Sequence, residues 1–388
     1  MNRIILFVVV IVILSSPSLA YAHAGSGEER PSVVSEAAIV MDSETGTVLY
    51  EKSSKSSMYP ASLTKIATAI YAIEIGDLDD VVTVSENASD EEGTSVFLNE
   101  GEQVKLKKLV QGLLINSGND AGVAIAEHLS GSVEQFSTDL NAYLKNEIGV
   151  QYTHFENPHG LYDPNHVTTA EDLAKITKYA MKNQTFRDIF GTVELKWNGE
   201  SWDTTLLKHH KLVRQVIPYK GATGGKTGYV SKSGFTLATT AERNDLNLIV
   251  ITLNSNLSSA SYNDTKNLLN YGFENFERSS VAKGTTFKAG EQTYKTSEEL
   301  RFTHMQGEQV NREVNEDGTL DIVREDGTII NSYHLDKLSD RVKINESSTV
   351  NKDIKTNSMF GDYFPMLVIT AIIIVLSLLV LFYSRKRI

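Results

Sequence analysis

Near the end of the chain, Phe364 to Tyr383 forms an uncharged apolar run of about twenty residues, followed directly by Arg385-Lys386-Arg387. A helix of that length crosses a hydrocarbon core of ~30 Å, and basic flanks stay on the cytoplasmic side. The pattern predicts a transmembrane helix over 364–383 and a cytoplasmic tail over 384–388. At the other end, Met1 to Ala24 carries Arg3, the apolar run Ile4 to Leu14, and small residues at Ala20, Ala22 and Ala24. That run is too short to span a bilayer, and the alternating small residues suit signal peptidase, so 1–24 reads as a cleaved secretory signal. Whatever folds between these ends is expected to face the extracytoplasmic side of a cell membrane, tethered by a single C-terminal pass.

The 388 residues exceed what one hydrophobic core holds, which predicts two folded parts. Secretion would permit disulfides, yet the chain has no cysteine. Its stability must come from packing, and thiolate nucleophiles and thiolate metal sites are excluded. A net charge of −12 argues against nucleic acid as a partner, because such binders need a basic footprint.

Two β-prone runs, Val33 to Met41 and Thr47 to Glu51, flank the turn-forming Asp42-Ser43-Glu44-Thr45-Gly46 and predict a hairpin. After Pro60, the apolar residues Ile66, Ala69, Ile70 and Ile73 recur at helical spacing until Gly76, predicting a central helix over Ala61 to Ile75. Leu106 to Leu129 reads as two helices broken at Asn116-Ser117-Gly118-Asn119, and Thr169 to Asp172 opens a further helix with a capping pattern. Strands over Phe235 to Ala241 and Asn247 to Leu253 precede a closing helix over Ser261 to Phe276. From Arg278 to Leu338 the pieces are short and β-prone, with hairpin signals at Asp317-Gly318 and Asp326-Gly327. These boundaries give a first domain over 33–277, a small β-rich domain over 278–338 and a linker over 339–363.

Three stretches carry chemistry. Ser62 and Lys65 stand three residues apart, so on a helix the amine can reach the hydroxyl, and a lysine stripped of water can take its proton. Ser117-Gly118-Asn119 puts a second hydroxyl and an amide on a turn, and Lys226-Thr227-Gly228 joins a cation and a hydroxyl to a glycine that admits close backbone approach. Each has rivals in the chain: Ser280 with Lys283, Ser85 with Asn87, Ser261 with Asn263, and Lys232-Ser233-Gly234. Their order and domain-scale separation single out the first set.

Those three motifs are the signature of the penicillin-recognising serine enzymes. With Tyr59 to Lys65, Ser117 to Ala121, Asn157-Pro158-His159-Gly160-Leu161, Thr169 to Ala174 and Gly225 to Tyr229, residues 33–277 resemble low-molecular-mass penicillin-binding proteins, the serine D-alanyl-D-alanine carboxypeptidases. The resemblance implies an α+β fold: a β-lactamase-like transpeptidase domain with an antiparallel sheet flanked by helices, and a helical subdomain. It implies Ser62 as nucleophile, Lys65 as its base and Ser117 as proton relay. Asn119, Lys226, Thr227 and Gly228 would bind substrate, and the N–H groups of Ser62 and Tyr229 would form the oxyanion hole. The partners implied are peptidoglycan pentapeptide stems ending in D-Ala-D-Ala, and β-lactam antibiotics. No cofactor or metal is implied.

Departures are Val230, where the family commonly has threonine, and Thr223, where many members have aspartate. His209 and His210, adjacent on a presumed strand, would face opposite sides and hold no metal, and His154, His159 and His166 are read as structural. Glu171 and Asp172 are candidates for a deacylating base, against which helix capping accounts for Asp172. A β-lactamase, a transpeptidase or an endopeptidase would use the same acylation residues, and a non-hydrolysing penicillin sensor or wall scaffold would keep the site without turnover.

Overall fold

The computed structural model describes residues 30–338. The predicted signal segment, linker, transmembrane segment and tail lie outside the described residues. Among those described, no helix is long and apolar enough to cross a membrane.

Strands β1 (Ala37–Asp42) and β2 (Val48–Lys52) form the predicted hairpin. β1 starts later than the sequence pattern suggests, because the N–H groups of Val34 and Ser35 bond the Asp264 carboxylate (3.1 and 2.7 Å) and leave none for a ladder there. A 3₁₀ turn, Ala61–Leu63, leads into helix α1 (Thr64–Ile75), whose residues from Thr64 to Ala72 are all buried. Then come β3 (Val81–Thr83), the short α2 (Glu86–Ser89), β4 (Gln103–Lys105), α3 (Leu106–Ile115), α4 (Asn119–Ser130) and α5 (Val133–Tyr143). A long connection leads to α6 (Ala170–Ala180) and α7 (Gln184–Gly191). The hairpin β5 (Glu194–Asn198) and β6 (Asp203–Leu207) precedes the strands β7 (Ala222–Val230), β8 (Gly234–Arg243) and β9 (Leu246–Ser255), and α8 (Ser258–Asn275) follows.

One antiparallel sheet in the order β2-β1-β9-β8-β7 organises these elements. Its strands are apolar on both faces, which requires a layer on each side. Ile39, Ile249 and Ile251 face the core that contains Ile66 and Ile70 of α1 and Leu173 of α6. Their neighbours Val40, Leu248 and Val250 face Leu268, Leu269 and Phe273 of α8. β7 is the edge strand, and α1 with its preceding turn ends beside it. The helices α3 to α5 pack against α1, and the break between α3 and α4 comes against β7, where Lys226 bonds Ser117.

After α8 the chain is β throughout, with a separate apolar cluster that includes Phe302, Leu320, Ile322 and Leu335. β10 (Phe276–Val281), β11 (Thr286–Ala289), β12 (Gln292–Lys295), β13 (Leu300–Met305), β14 (Val310–Val314), β15 (Thr319–Arg324), β16 (Ile329–His334) and β17 (Asp336–Lys337) form small antiparallel sheets. Gly318 and Gly327 take positive φ (87° and 84°) at the predicted hairpin turns. Residues 30–338 form one compact unit.

Candidate active site

The turn that bears Ser62 is held under strain. Ala61 adopts φ +48°, a left-handed conformation costly for a residue with a Cβ. The loop after His159 crosses the turn so closely that a Cβ on Gly160 would fall 1.9 Å from the Ala61 carbonyl oxygen. That same oxygen accepts from Thr64 Oγ1 at 2.9 Å, and Thr64 Oγ1 lies 2.8 Å from His166 Nε2. His166 Nδ1 accepts the Glu156 N–H, so Nε2 carries the proton and donates to Thr64. Burial pushes His166 down to about 3, which keeps this neutral form at any working pH. The structural reading of His166 holds, and what it braces is the serine turn.

Lys65 is fully buried one turn later. Its Nζ lies 2.7 Å from Asn119 Oδ1, 2.7 Å from the His159 carbonyl and 3.2 Å from Ser62 Oγ. A neutral amine has two N–H donors and one lone pair. The two short contacts are pure acceptors and take both donors, which leaves the lone pair for the hydroxyl of Ser62. Burial also lowers the Lys65 ammonium to about 7, against the opposing charges of Asp120 and Glu91. Ser62 itself is only half-buried, so a ligand can reach it.

The second motif sits in the break between α3 and α4. Gly118 N donates to Gly112 O at 3.2 Å, and Asn116 Nδ2 reaches Ser95 O at 2.9 Å, fixing the turn in which Ser117 takes φ +68°. Its hydroxyl accepts from Lys226 Nζ at 2.9 Å, and that nitrogen also donates to the Thr227 carbonyl at 2.7 Å. Burial, then the charges of Lys65 and Lys208, hold Lys226 well below the usual lysine range. Two residues along β7, a Cβ on Gly228 would fall 2.8 Å from the Ser62 nitrogen, so only glycine lets the strand pass the serine turn. Thr227 is half-buried, and Tyr229 is exposed with its ring packed on Phe235.

Ser62, Lys65 and Asn119 thus form one bonded set and Ser117 and Lys226 another, with Gly228 of β7 against the serine turn between them, and the rivals lie elsewhere. Ser280 lies on β10 and bonds Glu299, Ser85 caps α2, Ser261 is buried in α8, and Lys232-Ser233 forms the turn between β7 and β8. Val230 donates its N–H to Ser233 Oγ, and Thr223 bonds Thr240 across the strands.

A family profile described as D-alanyl-D-alanine carboxypeptidase, peptidase S11, matches residues 24–256. The chain belongs to this family. Among its relatives, D-alanyl-D-alanine carboxypeptidase DacF of Bacillus subtilis is 29% identical over 324 residues, covering 79% of this chain and 82% of the relative. DacA of Haemophilus influenzae is 32% identical over 287 residues, 69% of this chain and 68% of the relative. Among solved structures, penicillin binding protein 5 of Haemophilus influenzae superposes with a TM-score of 0.70 at 25% identity, over 80% of this chain and 98% of that one. The α+β penicillin-binding fold expected from the motifs is the fold observed.

Three residues of this S11 peptidase escaped the sequence reading. Asp120, fully buried, accepts the N–H groups of Val96 and Leu98 (3.0 and 3.1 Å) and so clamps the loop beside the Ser117 turn. Lys208 is buried with no acidic partner among the described residues, its Nζ 3.4 Å from the Leu114 carbonyl and over the Phe190 ring, and burial lowers it to about 7. Glu91 lies 3.5 Å from the ring of His159. Only Asp120 had a local signal, since it directly follows the Ser117-Gly118-Asn119 turn. His209 and His210 occupy the loop after β6 rather than a strand, and the buried His210 bonds Thr239 at 2.9 Å. Asp172 accepts from Tyr152 N and Thr153 Oγ1, while its own N–H bonds the capping hydroxyl of Thr169.

Proposed function

We propose that this serine D-alanyl-D-alanine carboxypeptidase cleaves the terminal D-alanine from peptidoglycan pentapeptide stems through an acyl-enzyme on Ser62. The supporting observation is the donor arithmetic at Lys65: two fixed acceptors hold a neutral amine so that its lone pair faces the serine hydroxyl. In the first step Lys65 takes the Ser62 proton as Oγ attacks the carbonyl between the two D-alanines. Charge builds on the substrate's carbonyl oxygen, and the N–H groups of Ser62 and Tyr229 are the donors proposed to meet it, where each donor is worth roughly 10²- to 10³-fold.

Ser117 then passes its proton to the nitrogen of the departing D-alanine and takes up the one that Lys65 removed from Ser62, while Lys226, bonded to that hydroxyl, steadies the charge in transit. Lys226 and Thr227 also receive the substrate's terminal carboxylate. Asn119 gives its oxygen to Lys65 and one N–H to the Glu92 carbonyl, which leaves its second N–H for the substrate backbone. Water attacks the ester to regenerate Ser62. A β-lactam places its ring carbonyl in the same position and acylates the same oxygen.

The domain boundaries at 277 and 338, export by the N-terminal segment, and anchoring by 364–383 belong to the same proposal, which places the site on the outer face of the membrane.

The test is covalent labelling of the full chain in detergent with a fluorescent penicillin. Ser62→Ala loses the label and Ser280→Ala keeps it; a labelled Ser62→Ala protein refutes the assignment. Slow release of the label fits a carboxypeptidase, whereas rapid turnover identifies a β-lactamase.

A further inference from the structure

Groups from four elements surround the Lys65 amine. Asn119 and Asp120 come from α4, His159 and His166 from the connection ahead of α6, and Lys226 from β7. The segment after α2 adds Glu91, a carboxylate that the chemistry above does not use.

Its placement is specific. His159 is nine-tenths buried, and its Nδ1 accepts the Leu161 N–H at 3.3 Å, so the proton sits on Nε2. That Nε2 faces Glu91 Oε1 at 3.5 Å, while the carbonyl of the same residue receives Lys65. The next residue, Glu92, uses its carbonyl to hold Asn119 Nδ2 at 2.6 Å, and Asn119 supplies the other acceptor for Lys65. Consecutive residues of one segment therefore brace both groups that orient the amine.

We propose that Glu91 is a positioning residue of the carboxypeptidase site: through the His159 ring it fixes one of the two acceptors of Lys65, and it sets a negative charge within electrostatic reach of the base. The inference rests on Lys65 acting as the base. Contact with His159, more than any other influence, holds the Glu91 carboxyl below the usual glutamate range, so it is ionised wherever the enzyme works. At Lys65 the charges of Asp120 and Glu91 favour the ammonium and burial opposes it. With Glu91 neutralised, burial meets less opposition, and the amine becomes free base at lower pH.

The experiment measures acylation by a fluorescent penicillin and D-alanine release from a D-Ala-D-Ala peptide between pH 5 and pH 9, on the full chain in detergent. Wild type is expected to lose rate as pH falls through Lys65's titration. In Glu91→Gln that acid limb moves down by ~0.5–1 pH unit with KM little changed. Glu91→Ala shows the same displacement and, with His159 unbraced, a plateau rate about three- to tenfold lower. A folded variant whose acid limb stays at the wild-type pH overturns the proposal. Loss of the melting transition in both variants also overturns it, since Glu91 would then be a structural residue. If wild type shows no acid limb, the base assignment of Lys65 falls instead, so the two failures are distinguishable.

Discussion

At the scale of single residues, the molecule is unusual for burying three lysines, Lys65, Lys208 and Lys226, with no carboxylate bonded to any of them among the described residues. Lys65 and Lys226 have hydroxyl and carbonyl acceptors that their chemistry uses, but Lys208 has only a long contact to Leu114 O and an aromatic face. Burial lowers Lys208 to about 7 from an unfolded value near 10.5. Between those values the unfolded chain binds more protons at this site, so folding weakens as pH falls toward 7 and the cost disappears above about 10.5. Lys208→Met, which keeps the length and drops the charge, is expected to raise stability at pH 7 by about 1–3 kcal/mol and by much less at pH 10. Urea midpoints at the two pH values check this. A variant less stable than wild type at pH 7 would mean that the contact with the end of α3 outweighs the desolvation. The sequence could not announce Lys208 or Glu91, because neither belongs to a motif and each matters only through what the fold brings against it. Ser62, Lys65, Ser117, Asn119 and Lys226 were legible because three short pairings of hydroxyl with amine or amide recur in one order at domain-scale separation, which none of their local rivals does.

At the scale of elements, the site depends on how closely β7 approaches the turn before α1. Any side chain at Gly228 meets the Ser62 nitrogen at 2.8 Å and Thr236 Oγ1 at 2.5 Å, and the register places Gly228 opposite Thr236 on β8. Gly228→Ala should push the strand edge off the turn and spoil the donor pair proposed for the oxyanion. The expected result is a loss of roughly 10²-fold or more in the penicillin acylation rate, with circular dichroism unchanged, because the strand stays paired to β8. Acylation within a factor of a few of wild type would show that the turn can retreat. Elements with strong local punctuation were readable in advance: α1 between Pro60 and Gly76, the break at Asn116 to Asn119, and the Asp-Gly turns. The hairpin β5–β6 was not, since Leu195 and Trp197 alternate with polar residues over too few positions, and it is fixed by packing of the buried Trp197 in the main core. The extra length assigned to the first strand failed for a similar reason, a tertiary bond from Asp264 that periodicity does not reveal.

At the scale of the whole molecule, the β-rich end is joined to the main sheet by a buried polar seam as well as by chain continuity. Asp42, at the end of β1, is fully buried and receives Arg278 Nη2 at 2.9 Å, while Thr303 of β13 bonds its other oxygen. Arg278 also pairs with Glu44, which reaches on to Arg301, and Thr47 Oγ1 bonds Asn331 at 3.2 Å. Two charges buried together gain little over an apolar pair, but removing one strands the other in a poor solvent. Arg278→Met therefore leaves the Asp42 carboxylate with hydroxyl and backbone donors alone, and should cost about 3–5 kcal/mol. Since Asp42 ends a strand hydrogen-bonded to both β2 and β9, that loss should lower the unfolding midpoint of the catalytic sheet along with that of the β-rich end. Denaturation followed by tryptophan fluorescence reports the catalytic side, because Trp197 and Trp202 both lie there. A fluorescence midpoint that Arg278→Met leaves in place would mean that the seam joins two independently stable bodies, and that the catalytic sheet holds its geometry without help from the residues beyond α8.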